Sequence, residues 1–189
     1  MTTTHKNHIE IEPTPNPNAL KFICEQTIRH EGKVSFKDPL ECHDIPLARA
    51  LFELRGVDQI HFFQNVITVS KFSFEPWDEL ESKIVDTIEQ QLPHHDPNFI
   101  VFDPEADRRK HLSSELLAIE QILDKRIRPG LQGDGGDLVC LSYEDNVLLI
   151  KYQGACGTCP SSSMGTLEAI RQILREEYSP EIEVYIAPA

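Results

Sequence analysis

The sequence lacks any apolar run that approaches the roughly 20 residues needed to span a bilayer, and it lacks a polybasic patch. Basic residues are also scarce: 18 lysines and arginines stand against 31 aspartates and glutamates, which gives a formal net charge of -13. A chain this acidic repels phosphate backbones. We therefore expect neither a membrane nor a nucleic acid as a partner.

Targeting signals and disulfides are missing as well. Residues 1–8 contain neither the apolar core of a secretory signal nor the Arg-rich pattern of an organelle transit peptide. This predicts a cytoplasmic protein, unless the chain is an already processed form. The five cysteines are few, odd in number and scattered, which argues against a disulfide scaffold. In a reducing compartment, a close pair of cysteines indicates metal binding or redox chemistry instead.

The chain does have the composition of a soluble globular protein, with 40% apolar and 26% charged residues. Its 189 residues suit two small domains. A polar, proline-bearing linker over 94–111 is predicted to separate a domain at 1–93 from a domain at 112–189. We expect both domains to be α+β.

Hydrophobic periodicity predicts the order of elements in each domain. In the first, strands are expected at 19–23, 57–63 and 66–72, and helices at about 44–55 and 76–92. In the second, the predicted order is helix, strand, strand, helix, strand. These elements are expected at 113–128, 138–143, 147–152, about 161–178 and 182–186, with a helix stop at Pro129-Gly130 and a tight turn at 133–137.

The motif with the clearest chemistry is Gly154-Ala-Cys-Gly-Thr-Cys-Pro160, between a predicted strand and the start of a predicted helix. The two-residue spacing lets the sulfurs of Cys156 and Cys159 face one centre. The positive end of the following helix dipole favours their thiolate form, which binds soft metals and attacks disulfides. The pattern therefore predicts a ligand pair or a redox pair, rather than two structural cysteines at a turn.

Three functions remain compatible with this pair. A thioredoxin-like reductase needs further strands after its active-site helix, and only one is predicted here. A structural zinc site needs four protein ligands, but this domain has no second Cys-x-x-Cys, the nearest histidine is His111 at the end of the linker, and Cys140 lies in an alternating strand pattern. An iron–sulfur cluster is usually held by four thiolates, which two copies of the chain would supply together.

Several motifs around the cysteines resemble the Nfu family of iron–sulfur scaffold and carrier proteins, which share the C-terminal domain of NifU. These are Arg126-Ile-Arg-Pro129, Asp134-Gly-Gly-Asp137 and Gly154–Ser163. Residues 13–22, Pro46-Leu-Ala48 and Trp77 are similar to the N-terminal Nfu domain.

The resemblance implies that Cys156 and Cys159 hold a [4Fe-4S] cluster across a homodimer and that the protein is not an enzyme. It also implies apo iron–sulfur proteins as clients and an upstream assembly scaffold as donor. Two thiolate pairs can also hold a two-iron cluster. A thiol–disulfide oxidoreductase that uses the same two cysteines is the alternative function.

Other polar residues are predicted to have structural roles. Asp134 and Asp137 are expected to supply turn geometry rather than a metal or acid–base pair. The pairs Cys42-His43 and His94-His95 lie in predicted loops and are expected to be solvated. Cys24 and Cys140 are expected to be packing residues.

Overall fold

The computed structural model describes residues 9–101, 112–156 and 162–187. The chain divides into two compact units, Met1–Val101 and Phe102–Ala189. Each unit has its own sheet and its own buried apolar cluster, so the fold is α+β, as predicted. All helices that the structure describes are too short or too polar to cross a membrane.

The first unit contains a five-stranded sheet in the order β1-β2-β5-β4-β3, in which every neighbouring pair is antiparallel. The predicted hairpin of β4 and β5 is confirmed, and Gln64 in its turn has a φ of 52°. The strands are β1 Glu10–Pro13, β2 Ala19–Ile23, β3 Lys33–Phe36, β4 Val57–Phe63 and β5 Val66–Lys71.

Two helices, α1 (Pro46–Phe52) and α2 (Asp78–Gln91), contribute buried side chains to the core of this unit. Leu80, Ile84 and Ile88 recur every four residues on the buried face of α2. Each such side chain stabilises the fold by about 1.5–3 kcal/mol relative to an exposed one. Short 3-10 helices at Pro39–Cys42 and Leu92–His94 complete the unit.

The second unit contains a three-stranded sheet in the order β6-β7-β8. Strands β6 and β7 form an antiparallel hairpin, whereas β8 pairs with β7 in parallel after a helical crossover. Asp145 and Asn146 in the hairpin turn both have positive φ, which is the geometry of a type I′ turn. The elements are α3 Ser114–Arg126, α4 Arg128–Gly133, β6 Gly136–Glu144, β7 Val147–Gly154, α5 Ser162–Glu177 and β8 Glu183–Ile186.

Besides the two 3-10 helices, the described residues contain one α-helix and two strands that were not predicted. Pro129-Gly130 does not stop the helical segment: the helix breaks at Ile127, and Pro129 lies in the first turn of the additional helix α4. Proline is tolerated there because the first N–H groups of a helix have no intrahelical partner. The other two additions, β1 and β3, are four-residue strands at the two edges of the first sheet.

Candidate metal centre

Cys156 lies just beyond the end of the β6–β7 hairpin that is opposite the turn. The last residues of the ladder are Gly136 and Gly154, which face each other, and the Ala155 N–H donates to the Gly135 carbonyl at 3.1 Å. Gly135 and Gly154 have φ values of 75° and 60°, a conformation that glycine adopts at little cost. The chain therefore turns sharply after β7 and brings Cys156 back towards the start of β6.

The sulfur of Cys156 occupies the space where a side chain at position 136 would begin. A β-carbon placed on Gly136 would lie 2.4 Å from Cys156 Sγ and 2.9 Å from the Cys156 backbone nitrogen. Such contacts are far inside van der Waals distance, so the close approach of Cys156 to the start of β6 requires glycine at position 136. Cys156 is half-buried and packs against the apolar cluster of the second unit.

Cys159 lies outside the described residues, as do Gly157 and Pro160, and the description resumes with helix α5 at Ser162. The convergence of the two sulfurs on one centre therefore stays a prediction. Within residues 9–101, 112–156 and 162–187, there is no group of three or more His, Cys, Asp or Glu side chains that could hold a metal ion.

Asp137 follows Gly136 and is completely buried. Arg128 Nη1 and the Leu138 N–H donate to its Oδ1 at 2.8 and 2.6 Å, and Gln132 Nε2 donates to its Oδ2 at 2.9 Å. Both carboxylate oxygens are thus used within the protein. The expectation that Asp137 only supplies turn geometry is wrong, because this residue anchors the start of β6 to helix α4.

Arg128 is the centre of a buried ionic network. Besides Asp137, its guanidinium contacts Glu120 Oε2 through Nη2 and Asp124 Oδ1 through Nε, both at 2.5 Å, and Nη1 also donates to the Leu138 carbonyl at 2.7 Å. Burial opposes the charge on Arg128, but Asp137, Glu120 and Asp124 outweigh this and raise its pKa. The sequence signal for this network was an arginine next to a proline among apolar residues, which alone does not indicate burial.

The other cysteines are in the cores of the two units. Cys24 and Cys42 are buried in the first, and burial raises their thiol pKa to about 12 and about 11. Cys140 is completely buried in the second unit. The packing roles expected for Cys24 and Cys140 are thus confirmed, whereas the expectation that Cys42 is solvated is wrong.

His95 was also expected to be solvated, but it is half-buried. Its Nε2 lies 2.7 Å from the Ile28 carbonyl, and its ring contacts those of Phe62 and Phe99. Burial lowers the pKa of His95. The fold thus uses this histidine in packing, while His43 forms an exposed ion pair with Asp44 at 2.9 Å.

Tyr152 is a residue near the site that the sequence did not single out. It is 6% exposed and lies on the core face of β7. Its hydroxyl is buried and has no hydrogen-bond partner among the residues that the structure describes. Burial raises its pKa, Cys156 raises it further, and Arg171 acts in the opposite direction, so the phenol is neutral.

Comparison with known proteins identifies the family of this chain. The family model described as "Scaffold protein Nfu/NifU N terminal" matches residues 9–95, and that described as "NifU-like domain" matches residues 119–185. A human protein named "NFU1 iron-sulfur cluster scaffold homolog, mitochondrial" is 36% identical over 177 residues, which cover 93% of this chain and 69% of the human one. The chain belongs to the Nfu family of iron–sulfur cluster scaffold proteins.

Two further proteins are also similar to this chain, at lower identity. A Drosophila persimilis protein with the same name is 33% identical over 178 residues, covering 93% of this chain and 63% of the relative. A solution NMR structure of a NifU-like protein from Saccharomyces cerevisiae has 24% identity and a TM-score of 0.47, covering 55% of this chain and 92% of that one. That likeness is too low to add to the argument. The names of the human and Drosophila relatives describe iron–sulfur cluster scaffolds.

The names of the relatives contradict the expected cytoplasmic location, because both the human and the Drosophila protein are named as mitochondrial. The prediction was drawn from residues 1–8 and is wrong. Compartment signals are read from segments outside the folded domains. Where this chain begins therefore gives no information about its location.

Proposed function

We propose that this Nfu protein holds an iron–sulfur cluster as cargo on the thiolates of Cys156 and Cys159 and delivers it to apo-proteins. The observation that carries the proposal is the position of Cys156, half-buried at the end of a hairpin where Gly136 leaves room for its sulfur. A thiolate is the ligand that iron–sulfur clusters prefer. The scaffold names of the relatives support the same role.

The ligand count favours a homodimer. The sequence contains one Cys-x-x-Cys motif, and the cubane cluster takes four thiolates. A symmetric pair of chains would supply two motifs at one seam. In such a dimer each chain would supply only two of the four cluster ligands. Separation of the chains would then release the cluster, which suits transfer better than storage.

The resemblance to Nfu proteins favours a [4Fe-4S] cluster. Two thiolate pairs can also hold a two-iron cluster, so the cluster type needs a direct measurement, for which Mössbauer spectroscopy is suitable. The sources and recipients that we propose are an upstream assembly scaffold and apo iron–sulfur proteins.

We assign recognition of these partners to the first unit. Its two cysteines, Cys24 and Cys42, are buried with raised thiol pKa values, so they are poor ligands. This assignment and the domain limits of 1–93 and 112–189, with a linker over 94–111, stay predictions. We propose no enzymatic activity for the chain.

Anaerobic reconstitution with iron and sulfide tests the proposal. The wild-type protein should bind iron and acid-labile sulfide and elute as a dimer, and Cys156→Ser or Cys159→Ser should each abolish cluster binding. One substitution removes two of the four ligands of a dimer, and a hydroxyl is a far poorer ligand than a thiolate for a soft metal.

Cys24→Ala and Cys140→Ala are the matched controls and should keep wild-type iron content. Alanine is used because a serine would bury a hydroxyl in an apolar site. Colourless protein with stoichiometric zinc would contradict the cluster, and a monomer with a complete four-iron cluster would contradict the dimer. Iron-free protein that reduces disulfides through Cys156 and Cys159 would support the oxidoreductase instead.

A further inference from the structure

The hydroxyl of Tyr152 is a buried polar group without a partner in the described part of the chain. Nearly all buried polar groups in native proteins form hydrogen bonds. A buried group without a partner has lost its hydrogen bond to water and forms no other in exchange, which costs free energy. Phenylalanine would fill the same space without this cost. An exception of this kind needs a physical reason, and one such reason is a partner that arrives only when a ligand binds.

The strand register places Tyr152 next to the sulfur of Cys156. Gly136 pairs with Gly154, and Leu138 pairs with Tyr152, so these four residues share the core face of the hairpin. Cys156 Sγ lies where a Gly136 side chain would begin. Tyr152 is the diagonal cross-strand neighbour of that position, and such neighbours are within reach of aromatic side chains.

The surroundings favour donation from the phenol to the sulfur. A tyrosine hydroxyl carries a proton that it can donate. Arg171, the charged residue that interacts with Tyr152, donates to the Val184 carbonyl through Nε at 3.1 Å and Nη2 at 2.7 Å. A guanidinium has donors only and cannot accept the phenolic proton. A cysteine thiolate can accept it, and such a charge-assisted bond is stronger than a neutral one.

We propose that Tyr152 is a positioning residue for the cluster: its hydroxyl donates a hydrogen bond to the Cys156 thiolate when that thiolate is an iron ligand. This inference rests on the proposed function. Hydrogen bonds to cluster sulfurs raise the reduction potential, because they stabilise the more negative reduced state. A bond from Tyr152 also reduces the tendency of the thiolate to leave the iron.

The test compares Tyr152→Phe with the wild-type chain, both reconstituted with iron and sulfide. Loss of the hydroxyl should make the midpoint potential more negative and accelerate cluster loss to a chelator roughly tenfold, since a hydrogen bond to a charged group is being removed. The apo form of the variant should melt at the same temperature or higher, because the unpaired buried hydroxyl is gone. Tyr143→Phe, at the opposite end of the hairpin, should change neither potential nor release.

The outcomes separate a role of the hydroxyl from a packing role. An unchanged potential in Tyr152→Phe overturns the inference, even when release is faster, because a packing defect accelerates release and lowers the melting temperature without removing a donor. If the wild-type protein itself takes up no iron, the proposed function fails and the inference falls with it. If the wild type takes up a cluster and Tyr152→Phe matches it in potential and release, the inference alone fails.

Discussion

Replacing Gly136 by alanine tests whether the position of Cys156 depends on the absence of a side chain at the end of β6. The added methyl group would lie 2.4 Å from Cys156 Sγ and 2.9 Å from both Cys156 Cβ and its backbone nitrogen. The backbone nitrogen cannot rotate away as a flexible side chain can. Either the loop after β7 or the start of β6 must therefore move, and the sulfur must shift by about 1 Å to restore an ordinary contact.

Overpacking of this kind typically costs about 1–3 kcal/mol. For a domain of 60–100 residues, each kcal/mol lowers the melting temperature by about 4–8 °C. We therefore expect a loss of roughly 4–24 °C for the unit that contains Cys156. Cluster occupancy should fall further than stability alone explains, because in the proposed dimer the variant displaces one proposed ligand in each chain.

Gly165→Ala is the matched control, because it adds the same methyl group in the same unit. Gly165 lies in helix α5, and a β-carbon there would meet nothing within 4 Å. Alanine should stabilise the helix by about 0.5–1 kcal/mol. Both variants are assayed by circular dichroism melts of the apo protein and by iron content after anaerobic reconstitution. Wild-type melting and iron content in Gly136→Ala would refute the claim that glycine makes room for the sulfur.

Two further predictions concern the charged groups of each unit. Arg128→Met should destabilise the second unit by about 3–5 kcal/mol in urea denaturation, because it leaves buried carboxylates without their cation. The control Arg126→Met breaks the exposed pair with Glu177 and should cost less than about 1 kcal/mol. Equal effects of the two variants would contradict the buried network. Burial lowers the pKa of His95, so the unfolded chain binds its proton more readily and stability should fall as the pH drops below about 6.5. Melts of the first unit between pH 7 and pH 5 should show a smaller loss in His95→Gln, and an equal loss would contradict this assignment.

Elements with strong local patterns were predictable from the sequence. The hairpin of β4 and β5 and the spacing of Leu80, Ile84 and Ile88 follow from alternation and from helical periodicity, both of which are local. The edge strands β1 and β3 were not predictable in this way. Each has four residues and pairs on one side only, so the neighbouring strand rather than the segment itself decides its conformation.

The helix α4 shows how one signal supports two outcomes. Proline followed by glycine commonly marks the end of a helix, but proline is equally suited to the first turn of the next one. In this chain proline lies in the first turn of the next helix, because the neighbouring Arg128 is held by carboxylates on α3 and at the start of β6. That choice depends on contacts 4 to 9 residues apart that form only in the folded unit.

Part of the candidate site was likewise predictable from a local motif, and part of it was not. Cys156 is evident from its motif, whereas the residues that determine where its sulfur lies are distant in sequence and meet it through the strand register. Gly136 provides the space, and the adjacent Asp137 is fixed by Arg128, so the start of β6 cannot shift without breaking a buried ion pair. The position of Cys156 and the stability of the unit are thus coupled. A substitution in the Arg128 network should therefore weaken cluster binding, and the loss of iron should follow the loss of stability rather than precede it.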